Sequence, residues 1–199
     1  MKMLSILFLG LLISSSAFSS TNILFLGDSL TEGQGVDENQ AFPRLVEQNL
    51  RERKHDVIVT NGGVSGSTSA SGVTRLKWHL KKKTDIMVLE LGANDGLRGL
   101  KITETQKNLK EIIRLAKNKK VKVLLVGVLM PPNYGKKYTD EFEQMYKKIA
   151  VDEKIPFLPF ILNGVAGKNE LNQADGIHPN PKGHEIVAGK VTDFVEKNL

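Results

Sequence analysis

The stretch NILFLGDSLTEG, residues 22 to 33, runs from an apolar segment through a glycine into an acid, a hydroxyl and a short polar turn. A continuous apolar run of this length, bounded by turn residues, reads as a fully buried strand. The same kind of run recurs at DVIVT (56 to 60), DIMVLELG (85 to 92) and VKVLLVGVLM (121 to 130), with a shorter one at IPFLP (155 to 159). Helical spacing fills the intervals. Phe42, Leu45, Val46 and Leu50 share one stripe. Leu109, Ile112, Ile113 and Ala116 share another, opened by an expected capping box from Thr103 to Gln106. Ile186, Val187, Val191, Phe194 and Val195 form a third. Strands that alternate with helices and are apolar on both faces predict a three-layer α/β/α domain, a flavodoxin-like doubly wound sheet of about five parallel strands.

In such a sheet ligands bind beyond the carboxyl ends of the strands, so the residues following each strand are the ones to inspect. They are GDSLTEG (27 to 33), NGGVSG (61 to 66), GAND (92 to 95) and MPPNYG (130 to 135). Each block taken alone also fits a turn, with Asp28 or Ser29 as a helix cap and the glycines serving backbone geometry. Their convergence on one sheet edge, together with Asp175 and His178 in DGIH, is what acyl transfer requires. A serine hydroxyl is a poor nucleophile until an imidazole takes its proton, and the imidazole needs a carboxylate to hold its tautomer. The developing oxyanion then needs donors, which a glycine N–H and an asparagine amide supply.

Four blocks in this order, GDSLTEG, NGGVSG, GAND and DGIH, resemble the SGNH (GDSL) hydrolase family. GANDGLRG (92 to 99), PPNYG (131 to 135) and DGIHPN (175 to 180) are most similar to its bacterial thioesterase, lysophospholipase and arylesterase group. The resemblance implies Ser29 as nucleophile, His178 as base and Asp175 as its orienter. It implies an oxyanion hole from the Ser29 N–H, the Gly66 N–H and the Asn94 side chain. It further implies a serine esterase acting on acyl esters and thioesters, with a carbohydrate O-deacetylase as the enzymatic alternative. Leu30, Leu97, Leu129, Met130, Tyr134 and Ile177, beside the catalytic blocks, are candidates for lining an acyl groove, and ordinary packing is their other reading.

Rival readings are weaker. GVSGS (63 to 67) falls one residue short of a nucleophile elbow, because Ser67 replaces the last glycine. A metal site from Asp28, Asn94, Asp175, His178 and His184 lacks any paired helical ligand motif, and no phosphate-binding glycine pattern follows the first strand. A non-catalytic lipid or glycan binding module would not need the intact set of serine, histidine and carboxylate. No cofactor or metal is expected. His184, just after Gly183 at the start of the last helix, reads as a surface or packing residue.

Composition sets the remaining bounds. The chain has 199 residues, is 40% hydrophobic and 25% charged, and contains no cysteine, which removes disulfides, thiolate metal sites and cysteine nucleophiles. Residues 1 to 19 carry Lys2, an apolar core from Met3 to Ile13, and Ala17 and Ser19 spaced for cleavage. They are expected to be a secretory signal, leaving residues 20 to 199 as a single domain exported to the periplasm of a bacterium. The net charge is +6, with lysines bunched in KWHLKKK (77 to 83) and KNKKVK (117 to 122). Without arginine-rich or aromatic-interleaved patterning these read as solvated helix ends. The partner expected is a small acyl ester or lipid, with no nucleic acid, no stable membrane insertion and at most weak attraction to anionic surfaces.

Overall fold

The computed structural model describes residues 20 to 199. The expected signal segment and its cleavage position lie outside them. Strand β1 (Thr21–Gly27) leads through the short helix α1 (Ser29–Glu32) and α2 (Phe42–Glu52) to β2 (Val57–Gly63) and α3 (Ser69–His79). Next come β3 (Ile86–Glu90), the short α4 (Ala93–Leu97), α5 (Ile102–Asn118), β4 (Lys122–Val126), α6 (Lys136–Glu153), β5 (Phe157–Leu158) and α7 (Pro181–Glu196). All strand pairs are parallel, in the order β2-β1-β3-β4-β5.

This order makes the chain step outward from β1 to β2, then back across β1 to β3 and onward. Right-handed crossovers in opposite directions put their helices on opposite faces, so α2 covers one face and α3, α5 and α6 the other. Helix α7 packs on α2, and α5 packs on both α3 and α6. The central strands are buried on both faces: Phe25, Leu26, Met87, Leu89, Leu124 and Leu125 have essentially no exposed surface. Phe25 meets Phe42 of α2 edge to face at 5.6 Å. Truncating such a fully buried ring to alanine typically costs about 3–5 kcal/mol.

Several boundaries differ from the sequence reading. β2 continues through Asn61, Gly62 and Gly63, which pair with Phe25, Leu26 and Gly27. Glycine allows this, since a Cβ on Gly63 would lie 2.1 Å from the Glu32 nitrogen where α1 crosses the strand end. The capping box at Thr103 is not formed. The helix already begins at Ile102 behind an extended Lys101, so Thr103 lies inside the first turn, whereas a cap needs non-helical dihedrals. Helices α3 and α6 were not among the three expected patterns. Among the described residues no helix is long and apolar enough to cross a membrane.

Candidate active site

The reversal of strand order opens a crevice at the carboxyl ends of β1 and β3, where the site assembles. β1 ends at Gly27, and Asp28 caps the following helix by accepting the Leu30 N–H through Oδ1 at 3.1 Å. Ser29 is thereby the first residue of α1, half-buried, with a backbone N–H that has no intrahelical partner.

The Asp175 to His178 turn reaches Ser29 from the other end of the chain. Gly176 adopts φ +74°, a left-handed conformation that glycine tolerates. The turn is closed by Gln173 N–H donating to the His178 carbonyl at 2.8 Å and by an antiparallel bridge between Asn172 and Pro179. The Gln173 side chain donates to the carbonyls of Gln34 at 2.6 Å and Pro179 at 2.9 Å, tying the turn to the loop after α1. Asn180 then caps α7 by accepting the Gly183 N–H, with Pro181 in its favoured first-turn position.

His178 Nε2 lies 2.9 Å from Ser29 Oγ, and its Nδ1 lies 2.7 Å from Asp175 Oδ2. The other Asp175 oxygen accepts the N–H groups of Ile177 at 3.0 Å and His178 at 3.1 Å. Burial alone would raise the Asp175 carboxyl, but these bonds to the His178 ring and to the two backbone amides outweigh it and hold the group at about 2. An ionised carboxylate only accepts, so Nδ1 is the donor to Asp175 and, in the neutral ring, Nε2 accepts the Ser29 hydroxyl proton.

Gly66 lies at the tip of the β2 to α3 connection with φ +73°. The connection is gripped from two sides: Ser65 donates its N–H at 2.8 Å and its hydroxyl to the Glu32 carboxylate, and Arg98 Nη2 donates to the Gly66 carbonyl at 2.9 Å. Asn94, in α4, donates from Nδ2 to the Ser67 carbonyl at 3.1 Å and, at 3.4 Å, to Asp28 Oδ2. Its neighbour Asp95 is buried and accepts the Ser69 N–H at 2.8 Å and the hydroxyls of Ser69 at 2.5 Å and Thr105 at 3.2 Å, locking α4 against α3 and α5.

The six candidate groove residues divide. Leu30 and Met130 belong to the buried core, and Leu97 packs partly against it. Leu129, Tyr134 and Ile177 are exposed, and the Tyr134 hydroxyl donates to the Leu97 carbonyl at 2.9 Å. Ser65 turns its hydroxyl to Glu32 rather than to an imidazole. His184 is buried against α2 and accepts the Phe42 N–H. Among the described residues no group of three or more histidines and carboxylates is arranged to hold a metal.

The sequence reading missed Glu90, the last residue of β3, wholly buried behind Asp28. Burial raises its carboxyl well above the ordinary range, and the Asp28 charge adds to this. Burial likewise raises Asp28, to about 6, against the lowering effects of the Leu30 amide, Glu90, His178 and Arg75. The available signal was Glu90, the acid interior to the apolar run IMVLELG (86 to 92).

Residues 25–186 match the GDSL-like lipase/acylhydrolase family. The chain belongs to this family. It is 39% identical over 172 residues to esterase TesA of Pseudomonas aeruginosa, covering 86% of each chain. It is 36% identical over 197 residues to thioesterase 1/protease 1/lysophospholipase L1 of Escherichia coli, covering 98% of this chain and 91% of that one. The crystal structure of the psychrotrophic esterase EstA from Pseudoalteromonas, inhibited by monoethylphosphonate, superposes with a TM-score of 0.85 at 30% identity, covering 89% and 98% of the two chains. This GDSL-family protein is a hydrolase of acyl esters, and its fold is the three-layer α/β architecture of the family.

Proposed function

We propose that Ser29, His178 and Asp175 are the catalytic triad of a serine esterase that works through an acyl-enzyme. The observation that carries this reading is the continuous chain from Ser29 Oγ to His178 Nε2 at 2.9 Å and from His178 Nδ1 to Asp175 at 2.7 Å. Ser29 Oγ attacks the substrate carbonyl while Nε2 takes its proton, and Asp175 stabilises the imidazolium without itself being protonated. The tetrahedral oxyanion is met by the N–H groups of Ser29 and Gly66 and by the Asn94 amide, which exchanges its long contact to Asp28 for the substrate oxygen. Collapse breaks the bond to the leaving alcohol or thiol, which receives the proton from His178. Water, deprotonated by the same ring, then releases the acid and restores Ser29.

Acyl esters and thioesters with an apolar acyl part, including lysophospholipids, are the proposed substrates. Val64, Leu100, Leu129 and Ile177 on loops, and Tyr134 at the end of a short 3-10 turn, are exposed in the connections between elements, where an acyl chain would lie. The chain is proposed to be exported with residues 1 to 19 removed and to act in the periplasm without inserting in the membrane or binding nucleic acid. Its lysine-rich α3 end supplies only weak attraction to anionic surfaces.

The test is fluorophosphonate labelling and ester hydrolysis by Ser29→Ala. Both should vanish while the fold persists, and labelling that survives there but disappears in Ser65→Ala would overturn the assignment. Comparing short- and long-chain p-nitrophenyl esters with an acetylated glycan separates an acyl esterase from a carbohydrate O-deacetylase.

A further inference from the structure

We infer that Glu32 and Arg98 are positioning residues that clamp the turn carrying Gly66 from two sides and so hold its N–H in register with the Ser29 N–H and the Asn94 amide. The inference deepens the proposed mechanism and rests on the oxyanion role given there to Gly66.

The three proposed donors sit on three separate elements: Ser29 opens α1, Gly66 lies in the β2 to α3 connection, and Asn94 belongs to α4. Donors serve an oxyanion only when each stands about 2.7–3.1 Å from it, so the elements must be fixed relative to one another. Helices α1 and α4 are anchored by buried residues, Leu30 and Thr31 in one and Asp95 and Gly96 in the other. The tip of the connection has no such anchor, because Val64, Ser65 and Gly66 are all exposed.

Residues 64 to 67 form a turn closed by the Ser67 N–H donating to the Val64 carbonyl at 3.1 Å, with Gly66 in third place at φ +73°. A positive φ at the third residue is the type II arrangement, which sets how the Gly66 N–H points within the turn. Where the turn sits is a separate matter, and two exposed side chains fix it. Glu32, the last residue of α1, accepts both the Ser65 N–H, at 2.8 Å, and the Ser65 hydroxyl on its Oε2. Arg98, at the C-terminal cap of α4, donates to the Gly66 carbonyl at 2.9 Å. The peptides flanking the one that carries the Gly66 N–H are thus held by the helix that presents Ser29 and by the helix that presents Asn94. Both bonds pair a charged side chain with the backbone, the stronger class of hydrogen bond.

Glu32 reaches out from a rigid point. Its N–H donates to the Asp28 carbonyl at 2.9 Å, and a Cβ on Gly63 would lie 2.1 Å from its nitrogen. The Asn94 amide adds a tie to the far end of the turn, at the Ser67 carbonyl. Because Glu32 and Arg98 are exposed, losing either should leave the core intact, and its effect should pass through the place of Gly66.

The test measures kcat and KM on one p-nitrophenyl ester, and Tm, for the full protein carrying Glu32→Ala, Glu32→Gln, Arg98→Ala, Gly66→Ala or Glu32→Ala with Gly66→Ala. Glu32→Ala and Arg98→Ala should each lower kcat by about 10- to 100-fold with KM and Tm little changed, the scale of a displacement of about 1 Å. Glutamine keeps an acceptor for the Ser65 N–H, so Glu32→Gln should stay within about threefold of the parent. In the Gly66→Ala background the donor is already lost, and removing Glu32 should cost less than about twofold more. A normal kcat in either alanine variant, full additivity of the Glu32 and Gly66 losses, or a fall in kcat matched by a fall in Tm would each overturn the clamp. A normal kcat in Gly66→Ala would overturn the oxyanion reading and the clamp with it. The two failures are distinguishable, because failure of the clamp alone leaves the Gly66→Ala loss in place.

Discussion

His184 accepts a hydrogen bond from the Phe42 amide, with Nδ1 at 3.2 Å, while its ring lies nearly parallel to the Phe42 ring at 6.3 Å. The contact requires Nδ1 to be unprotonated. Burial first, and the proximity of His178 second, lower the His184 group to about 4.

The first prediction concerns stability in acid. Between about pH 6.5 and about pH 4 the unfolded chain binds a proton at this histidine that the folded chain refuses, so the contribution of His184 is full above this window and is lost as pH falls through it. The full loss is about 3 kcal/mol. Asp28 and Glu90 titrate in the opposite sense, because their raised folded values make the folded state take up protons more readily. The quantity to measure is therefore the difference in urea-unfolding free energy between the parent and His184→Asn, whose side-chain oxygen can replace Nδ1 without titrating. That difference should move against the parent as pH falls from about 6.5 to 4, and a difference independent of pH would contradict it.

The two histidines of the last quarter should separate in activity. His178→Ala should lose nearly all hydrolysis, whereas His184→Ala should remain within about tenfold of the parent once folding is verified, since it removes packing and the Phe42 hydrogen bond but no member of the proposed triad. Asp175→Asn should keep the turn but lose up to about 10⁴-fold through the wrong imidazole tautomer. The check is kcat/KM for all three on one chromogenic ester.

Removing the Asn94 amide should lower turnover more than binding, because in its proposed oxyanion role the amide meets charge that exists only in the transition state. Asn94→Ala should cost about 100- to 1,000-fold in kcat. A change confined to KM would assign Asn94 to substrate positioning instead.

Gly66→Ala tests the backbone donor. The new methyl would meet nothing closer than Arg98 Nη2 at 3.6 Å, so crowding is not the issue. The left-handed φ of +73° is, at about 1–2 kcal/mol for an L side chain. A modest fall in Tm should accompany a lower kcat as the N–H is turned from the crevice, and a normal kcat with the same Tm loss would remove Gly66 from the oxyanion hole.

The strands were readable because both sheet faces are covered, which forces continuous apolar runs such as residues 22 to 27 and 121 to 126. The turn that carries the proposed base was readable for a different reason: Asp175, Gly176 and His178 are local in sequence, so their spacing already carries the geometry. Helix α3 was not readable. Its buried residues are Ser69, Gly72 and Leu76, and a Cβ on Gly72 would lie 2.4 Å from Ile112, so close approach stands in for most of an apolar stripe. Helix α6 did carry a signal in Phe142, Met145, Tyr146, Ile149 and Ala150. The reach of β2 through Gly63 and the burial of Glu90 against the Asp28 N–H depend on neighbours distant in the chain, which spacing alone does not encode.

Ser29 and His178 meet across 149 positions of sequence. A growing chain that has emerged through β5 therefore carries the proposed nucleophile and the groups around it but not the proposed base. With Ser29 and His178 acting as proposed, hydrolysis begins only when the last segment docks, its turn fastened at Gln34 and its helix at Phe42. On that proposal, catalytic onset during refolding is a clock for the arrival of the C-terminus, and partially synthesised chains should be inert toward the esters around them.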